Sequence, residues 1–340
     1  MNIKDVAKIC GVGVSTVSRV INNHPDVKGE TRKKVLEVIE DINYIPNNSA
    51  RILKRNNTMN IGVLLKGVFN PFFTEMLKII GYKIEEAGYT MILQHYDNSN
   101  GKDEDALRAF IKEKRLQGVI CLGGNFLNIT EDSFHNLKTP VVLTSVNVNL
   151  DKLGDNISSI GIDNEKAAYE ATSYLINLGH KNIAVLLGDE DDVGIGSLRL
   201  NGYKRAMEEN NINFKKEYIL YGYYECEKAY KASYKLLKKQ KDISAIFAIS
   251  DIMAIGVSKA IFNLGLVPGK NISIMGFDGM EIGEYYEPSI TTLKQPRNQI
   301  AKESVELLFD LINKKIKNRH ILLKTNLIER DSCKEFGKQG

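Results

Sequence analysis

The chain of 340 residues is predicted to be an α/β protein, with a small helical domain at its N-terminus and a larger core built on parallel β-sheets. Three observations lead to this prediction. Apolar residues recur with helical spacing over the first 45 residues, and short apolar runs alternate with helical segments from residue 58 onwards. The length suits two or three domains, and 43% hydrophobic with 26% charged residues is ordinary for a globular chain with a sizeable core.

The positive charge of the chain is concentrated at its N-terminal end. Residues 1–55 carry ten Lys or Arg and six Asp or Glu, whereas the remaining residues carry 36 of each sign. The net charge of +4 therefore belongs to the first sixth of the chain. This asymmetry indicates a segment that meets a polyanion such as nucleic acid, although four charges are also compatible with a solvated surface.

Three short helices are predicted in this basic segment. The first has Asn2 as its N-cap and ends at Gly11, the second covers about 14–22, and the third covers about 30–42. Two short helices joined by a tight turn, with a third packed beneath them, are typical of a helix-turn-helix domain. A three-helix cap with a solvated polar face is the alternative.

The outward face of the second predicted helix has side chains suited to DNA. Ser15, Ser18, Arg19 and Asn22 share this face, while Val17 points towards the other helices. An arginine binds the edge of guanine in the major groove, and small hydroxyls bond to bases or phosphates. We therefore expect this helix to read DNA.

The core region, residues 58–330, has the alternation typical of parallel sheets with helices on both faces. The predicted strands are 61–65, 90–93, 118–122, 140–144, 157–162, 182–187, 245–249 and 273–277. The predicted helices are 73–87, 102–115, 165–178, 200–210, 225–239, 251–264 and 297–313. The length accommodates two such halves, and in these sheets ligands bind beyond the carboxyl ends of the strands.

The residues expected at those strand ends are polar or aromatic. They are Asn70, Phe72, Phe73, Asp97, Asn125, Ser145, Asp163, Arg199, Asp251, Asp278 and Gln295. Polar groups that can hold several hydroxyls, beside aromatic rings that can stack on a sugar, describe a carbohydrate-like site. An aspartate after a strand can equally serve only as the cap of the next helix.

The N-terminal segment closely resembles the opening of LacI/GalR-family bacterial transcription regulators. The similarity lies in residues 2–23, NIKDVAKICGVGVSTVSRVINN, and in residues 44–53, YIPNNSARIL. It implies a recognition helix and a hinge helix whose DNA contacts are Val14, Ser15, Thr16, Ser18, Arg19, Asn22, Asn48, Ala50, Arg51, Leu53 and Lys54. Gly13 and Lys28 stand where the family often has a capping serine, and neither change removes the expectation of DNA binding.

The implied hinge has a physical reason to depend on DNA. About seven residues, 48–54, cannot hold an isolated helix in water because helix nucleation is costly. The segment is expected to order only against DNA and a partner hinge, with Leu53 inserted between base steps in the minor groove. A plain interdomain linker with one stray leucine is the alternative.

The same resemblance extends through the core, in motifs such as NPFF at 70–73, SLRLNG at 197–202 and GFD at 276–278. It implies a periplasmic-binding-protein-like core of two subdomains that closes over a small effector and forms a homodimer. It assigns effector hydroxyls to Arg199, Asp251 and Asp278 and ring stacking to Phe73, with Asp163 and Gln295 as weaker candidates. With the strand ends, the expected effector-binding set is Asn70, Phe72, Phe73, Asp97, Asp163, Arg199, Asp251, Asp278 and Gln295.

These features predict four regions: a helix-turn-helix DNA-binding domain at 1–46, a hinge helix and linker at 47–57, an effector-binding and dimerisation core at 58–330, and a tail at 331–340. The expected function is a cytoplasmic transcription regulator, a repressor, which binds a palindromic double-stranded operator as a homodimer. Its effector is expected to be a sugar or sugar derivative. Val193 favours a sugar because purine-responsive members of the family carry an arginine at that position.

Two alternatives share parts of this pattern. A solute-binding protein of a sugar transport system has the same core but requires a signal peptide and has no use for residues 1–57. A sugar-metabolising enzyme would need a catalytic constellation, and the sequence has no His-Glu-x-x-His, Gly-x-Ser-x-Gly or Gly-x-Gly-x-x-Gly motif. The four cysteines form no Cys-x-x-Cys pair, and no apolar run approaches the roughly 18 residues of a membrane span. We therefore expect no catalytic residue, metal, cofactor or membrane contact.

Overall fold

The computed structural model describes residues 2–21, 24–44, 59–67, 70–96, 102–126, 137–148, 154–190, 192 and 194–337. Seven predicted contact residues lie outside these ranges, namely Asn22, Asn48, Ala50, Arg51, Leu53, Lys54 and Asp97, as do the rest of the predicted hinge helix and Val193. The chain divides into two compact units, Met1–Thr58 and Met59–Gly340, and each is described by itself.

The described residues of the first unit form three helices, α1 (Ile3–Cys10), α2 (Val14–Ile21) and α3 (Gly29–Asp41). The Asn2 side chain accepts hydrogen bonds from the backbone N–H groups of Lys4 and Asp5, and the Asp5 carboxylate accepts one from the N–H of Asn2. This capping box fixes the start of α1, and Gly11 ends the helix in the left-handed conformation. The helical spacing buries Val6, Ala7, Cys10, Val17, Val20 and Val35 in one small core.

The second unit contains seven α-helices within the described ranges. Their bounds are α4 (Pro71–Glu86), α5 (Asp103–Lys114), α6 (Asn164–Asn177), α7 (Ile195–Glu209), α8 (Cys226–Lys239), α9 (Asp251–Asn263) and α10 (Arg297–Ile312). Two short 3₁₀ turns, Lys216–Tyr218 and Glu281–Gly283, precede β9 and β12. None of the helices in the described ranges is long and apolar enough to cross a membrane.

The strands that the structure describes in this unit form two large sheets and one small pair. The bounds are β1 (Asn60–Lys66), β2 (Thr90–Tyr96), β3 (Gly118–Leu122), β4 (Asn125–Phe126), β5 (Val141–Thr144), β6 (Asn147–Val148), β7 (Ile157–Ile162), β8 (Ile183–Leu187), β9 (Ile219–Tyr221), β10 (Ala245–Ala248), β11 (Ser273–Asp278), β12 (Thr291–Lys294), β13 (His320–Leu323) and β14 (Asn326–Ile328). The first sheet has the order β13-β7-β5-β3-β1-β2 and the second has the order β14-β12-β11-β10-β8-β9. All neighbours are parallel except β14, which is antiparallel to β12, so the predicted fold class is confirmed.

Each large sheet defines a subdomain. The first subdomain is the first sheet with α4, α5 and α10, and the second is the second sheet with α6, α7, α8 and α9. The chain crosses between them three times: at Asp163 after β7, at 295–296 after β12, and at 324–325 between β13 and β14. The second crossing delivers α10 to the first sheet, where the Ser304 hydroxyl lies 3.0 Å from that of Thr144.

The structure differs from the sequence-based expectation in the shortest elements. Strands β9, β12, β13 and β14 were not predicted, because they have only three or four residues and three of them are half-exposed. Helix α7 begins at Ile195 rather than near residue 200, since Gly194 and Gly196 conceal the helical pattern. Arg199 therefore lies inside a helix and not at the end of a strand, which corrects its predicted position.

The C-terminal residues pack against the second sheet. Ser332 and Cys333 are buried, and the Ser332 hydroxyl donates to the carbonyl of Ile274 at 2.6 Å. The N–H of Phe336 donates to the carbonyl of Leu178 at 2.8 Å. Residues 332–336 are therefore a part of the second subdomain.

Candidate functional site

The outward face of α2 is the part of the first unit best suited to contact DNA. Val14, Ser15 and Arg19 are exposed, whereas Thr16 and Ser18 are half-buried. The first turn of α2 contains no acidic residue, so its partial positive charge is available to a phosphate. Val14 is 41% exposed although it is apolar, and an exposed apolar side chain is the kind that can contact the methyl group of a thymine.

Two of the predicted effector residues act as helix caps. The Asn70 side chain accepts a hydrogen bond from the N–H of Phe72 at 3.0 Å and begins α4. The Asp163 carboxylate accepts one from the N–H of Lys166 at 3.0 Å and begins α6. These contacts account for both side chains without a ligand, yet both sit at the carboxyl edge of the first sheet.

The rings of Phe72 and Phe73 lie in the core of the first subdomain. Their centroids are 5.2 Å apart in an edge-on arrangement, and both rings are buried. A Cβ atom placed on Gly123 would lie 3.2 Å from the ring of Phe73, so this ring borders the end of β3. Phe73 therefore lies at the carboxyl edge of the first sheet, where a ligand can meet it.

Arg199 is the centre of a buried polar group in the second subdomain. Its Nε donates to the Asn164 side-chain oxygen at 3.0 Å, and its Nη1 donates to the Ile249 carbonyl at 2.6 Å. The guanidinium carbon lies 3.7 Å from the centroid of the Phe277 ring. Three elements thus hold the guanidinium plane in one orientation, which suits an arginine that must recognise a fixed pattern of acceptors.

Asp278, the last residue of β11, lies beside Arg199. Its carboxylate accepts a hydrogen bond from the Gln295 amide at 2.8 Å. Its φ of 113° is outside the range that residues with a side chain prefer, and such strain is concentrated at functional sites. Burial raises the pKa of Asp278 to about 6, against the opposing effect of the positive charge of Arg199.

Asp251 lies behind Asp278 and is completely buried. Its Oδ2 accepts a hydrogen bond from the N–H of Met280 at 2.6 Å, which fixes the loop after β11. A Cβ atom on Gly276 would lie 2.3 Å from Oδ1, so only a glycine allows this carboxylate its place. Burial, followed by the negative charge of Asp278, raises the pKa of Asp251 to about 7. In this position Asp251 supports the site from behind.

The structure adds three residues that the sequence did not indicate. Asp192 accepts hydrogen bonds from the N–H groups of Gly194 and Gly196, at 2.7 and 2.9 Å, at the start of α7. Tyr224 follows β9, and its pKa is raised by burial and then by the charge of Asp192. Arg297 donates to the carbonyl of Gly279 at 3.3 Å.

The signal for Tyr224 was hidden because β9 is too short to be recognised from the sequence. Its ring lies over Gly188 after β8, where a Cβ atom would lie 2.2 Å from the ring. Arg297 follows β12 and could have been found by the strand-end rule that indicated Gln295. Among the described residues, no group of three or more His, Cys, Asp or Glu could hold a metal ion.

Comparison with known proteins gives consistent results along the chain. Residues 2–47 match the family model described as bacterial regulatory proteins, lacI family, and residues 172–333 match a periplasmic binding protein-like domain. The chain is 60% identical over 333 residues to the HTH-type transcriptional regulator MalR of Clostridium butyricum, which covers 98% of this chain and 99% of that protein.

Solved structures are similar over almost the same length. The lac repressor dimer bound to operator and the anti-inducer ONPF has 25% sequence identity and a TM-score of 0.75, with 98% of this chain and 99% of that chain covered. The complex of the transcriptional regulator CelR with cellobiose has 26% identity and a TM-score of 0.68, with the same coverage.

Proposed function

Because the chain belongs to the lacI family of bacterial regulatory proteins, it is a DNA-binding transcription regulator, and we propose that a sugar bound between its two subdomains controls its affinity for operator DNA. The observation that carries the proposal is the buried group of Arg199, Asp278 and Gln295 at the carboxyl edge of the second sheet. Donors and acceptors held together in a dry site discriminate between patterns of hydroxyl groups.

The DNA-binding part of the proposal places α2 in the major groove. Val14, Ser15 and Arg19 contact bases from its exposed face, while Thr16 and Ser18 lie nearer the phosphates. The further contacts at Asn22, Asn48, Ala50, Arg51, Leu53 and Lys54 are proposed from the family resemblance. Two copies of the chain would read the two halves of a palindromic operator, as in the lac repressor structure, which is a dimer bound to its operator.

The effector part divides the roles among the buried residues. Arg199 donates to hydroxyl oxygens with the N–H groups that its protein partners leave over, and Asp278 accepts from hydroxyl groups. Asp251 holds the loop that carries Asp278, and the ring of Tyr224 offers a face to a sugar ring. CelR has been solved with cellobiose, a sugar, in a fold that matches this chain over 98% of its length.

The crossings between the subdomains give the effector a way to act at a distance. Asp163 lies on the first crossing, and Gln295 lies on the second and is bonded to Asp278. A sugar that draws these residues together changes the angle between the subdomains, and a bistable angle of this kind is a common route of allosteric control. The change would reach the operator through residues 47–57, the proposed hinge.

The two rival functions fit less well. A transport protein that binds sugars has no use for a helix-turn-helix unit. A sugar-metabolising enzyme needs a catalytic group in the buried site, whereas a regulator needs none. The proposed place of action is the cytoplasm, because the operator is there. Repression is the proposed outcome of operator binding.

The test compares operator binding with and without sugar in an Asp278→Asn variant. Asparagine tolerates a positive φ and keeps the hydrogen bond to Gln295, but it removes the charge that accepts hydroxyl groups. The parent should bind operator in a retardation assay, and one of glucose, galactose, maltose and cellobiose should alter that binding. Asp278→Asn should bind operator like the parent and lose most of the sugar response.

Asp310→Asn is the matched control, since this carboxylate is partly exposed on α10 and pairs with Lys315 at 3.5 Å. A thermal-shift screen first identifies the sugar, because saturation to 100 times the dissociation constant adds about 2.7 kcal/mol of stability. A full sugar response in Asp278→Asn would show that the effector binds elsewhere.

A further inference from the structure

The strands of the first sheet begin along one continuous edge of the first subdomain. The N–H of Gln117 donates to the carbonyl of Asn60 at 2.9 Å, and the N–H of Ser159 donates to the carbonyl of Arg319 at 3.0 Å. Because β1, β3, β5, β7 and β13 are parallel neighbours, their starts lie side by side. Neighbouring strands lie about 4.8 Å apart, so these starts extend over roughly 20 Å. We call this row of strand starts the amino edge.

The amino edge carries an excess of positive charge. Eight Lys or Arg and three Asp or Glu lie in its described segments, which are 112–117, 137–140, 154–156 and 310–319. The chain beyond residue 55 carries equal numbers of each sign, so the excess is local. Glu85 and Glu86, at the end of α4, precede β2 at the other end of the sheet. The positive charge is therefore concentrated from β3 to β13.

The ends of helices explain only a part of this charge. Lys112 and Lys114 lie in the last turn of α5, where cations offset the negative end of the helix dipole. Lys138, Lys317 and Arg319 lie in loops outside the helices. Their charges stabilise no helix end, so they are the charges of this edge that call for a different role.

These three side chains are available to a ligand. All three residues are exposed, and in the described part of the chain neither Lys138 nor Arg319 is paired with a carboxylate. The Lys317 ammonium lies 3.2 Å from a carboxylate oxygen of Asp155, and the two side chains are 81% and 68% exposed. An ion pair this exposed is weak, so Lys317 can exchange Asp155 for another anion.

The amino edge is also where the chain from the DNA-binding unit enters the core. Tyr44 is the last described residue of the first unit, and β1 begins at Asn60 on this edge. The residues between them reach at most roughly 55 Å when fully extended. DNA held by the first unit therefore presents its phosphates to this edge at a high effective concentration.

We infer that the amino edge is a second DNA-contacting surface, which binds the phosphates beside the operator through Lys138, Lys317 and Arg319. Double-stranded DNA is the partner because its regular row of phosphates complements separated, exposed cations and because the same chain already holds it. The length of the edge, roughly 20 Å, matches about six base pairs at about 3.4 Å each. Such contacts add affinity without reading sequence, and they do not depend on the effector.

The test compares two duplexes that differ only in their flanks. The operator is selected with the full chain from a pool of random duplexes and is prepared bare and with roughly 15 base pairs, about one and a half helical turns, on each side. Affinities are measured without sugar at several salt concentrations. The parent should bind the flanked duplex about three- to tenfold more tightly, with a salt dependence steeper by about 0.9 for each phosphate contacted.

An edge variant combines Lys138→Gln, Lys317→Gln and Arg319→Gln. It should bind the bare operator like the parent and lose the advantage of the flanks. Its salt dependence on the flanked duplex should become shallower by about 2–3, since up to three phosphate contacts are lost. Unchanged affinity for the bare operator also shows that the variant is folded and that α2 is unaffected.

The matched control combines Lys216→Gln, Lys235→Gln and Lys239→Gln. These lysines are exposed in the second subdomain, and their loss changes the net charge by the same amount. The control variant should keep the advantage of the flanks. Both variants should unfold at the temperature of the parent, because substitutions of exposed charges cost little stability.

The other outcomes overturn the inference. One is equal affinity of the parent for the two duplexes, and another is an edge variant that keeps the advantage of the flanks. An equal loss in the edge and control variants would show that the net charge of the chain acts, and not this edge. Loss of binding to the bare operator would place the three side chains outside the flank contacts assigned to them. None of these results bears on control by a sugar, because no sugar is present.

Discussion

The proposed recognition helix α2 and the proposed effector site each contain an arginine, but the two arginines have opposite environments. On α2, Arg19 stands exposed above an apolar core, and no described contact of the fold depends on its charge. In the second subdomain, Arg199 is buried among Asn164, Ile249 and Phe277 and faces a buried carboxylate. In the proposed function the first arginine serves only DNA binding, whereas the second serves the fold as well as the effector.

The difference teaches where function and stability can be separated. An exposed charged side chain can be exchanged at little cost, since water replaces its partners. A buried charge that loses its partner has no such replacement, and the penalty is several kcal/mol. Substitutions in the proposed effector site are therefore expected to change both stability and effector binding. Substitutions on the exposed face of α2 are expected to change DNA binding alone.

The largest effect is expected for Arg199→Ala. The variant leaves Asp278 without its neighbouring cation and leaves two buried acceptors without donors. The free energy of unfolding, measured with urea, should fall by about 3–5 kcal/mol. Arg205→Ala is the control: Arg205 is half-exposed beside Glu165, and its removal should cost at most about 1 kcal/mol. A similar loss of unfolding free energy in both variants would contradict the difference between buried and exposed arginines.

Arg19→Ala should separate binding from stability. Loss of one base-reading side chain should weaken operator binding by about 1–3 kcal/mol and relax sequence preference at one position of each half-site. The free energy of unfolding should change by less than about 0.5 kcal/mol. Lys33→Ala removes the same charge from α3, and it should weaken binding to all DNA sequences alike. A large loss of stability in Arg19→Ala would contradict the comparison.

The difference in stability between Asp251→Asn and the parent should depend on pH, and this dependence measures the cost of the buried charge. The pKa of Asp251 is raised to about 7 in the folded protein, against 3.8 as its ordinary value. The folded state therefore binds the extra proton between these values, and stability falls as the pH rises from about 4 to about 7. The variant should match the parent near pH 4 and exceed it by up to about 4 kcal/mol at pH 8, because each pKa unit of the shift corresponds to roughly 1.36 kcal/mol. Unfolding curves at both pH values check this, and a constant difference would argue against it.

The smallest effect is expected at the start of α3. Lys28 is its N-cap residue and makes no side-chain hydrogen bond to the helix. Lys28→Ser should supply the missing cap and raise the stability of the first unit by about 0.5–1 kcal/mol. Lys28→Ala, which removes the charge without adding a cap, should not. Hydrogen exchange in the first turn of α3 distinguishes the two variants.

Much of this architecture followed from local patterns. The bounds of α1 were predicted to the residue because a capping asparagine, a regular apolar stripe and a terminal glycine all agree. The buried strands of both large sheets, apart from the four-residue β12, were found as apolar runs. Strands β13 and β14 were not, since their half-exposed residues carry no such signal.

The sites show the same limit. Asp278 and Gln295 were predicted by the rule that ligands meet strand ends, and the structure brings them within one hydrogen bond of each other. The buried ion pair of Lys66 and Asp103 was missed because the two residues lie 37 positions apart, and only the packing of α5 beside β1 joins them. No local pattern contains that information.

The three crossings also determine when the protein can fold during synthesis. The first sheet is completed by β13, which emerges from the ribosome after nearly the whole second sheet. Helix α10, which covers the first sheet, is likewise made after residues of the second subdomain. Neither half can finish alone as the chain appears, so the nascent core exposes apolar strands until residue 323 and beyond. The apolar strands of the first sheet are therefore protected from aggregation only after α10 and β13 have been made.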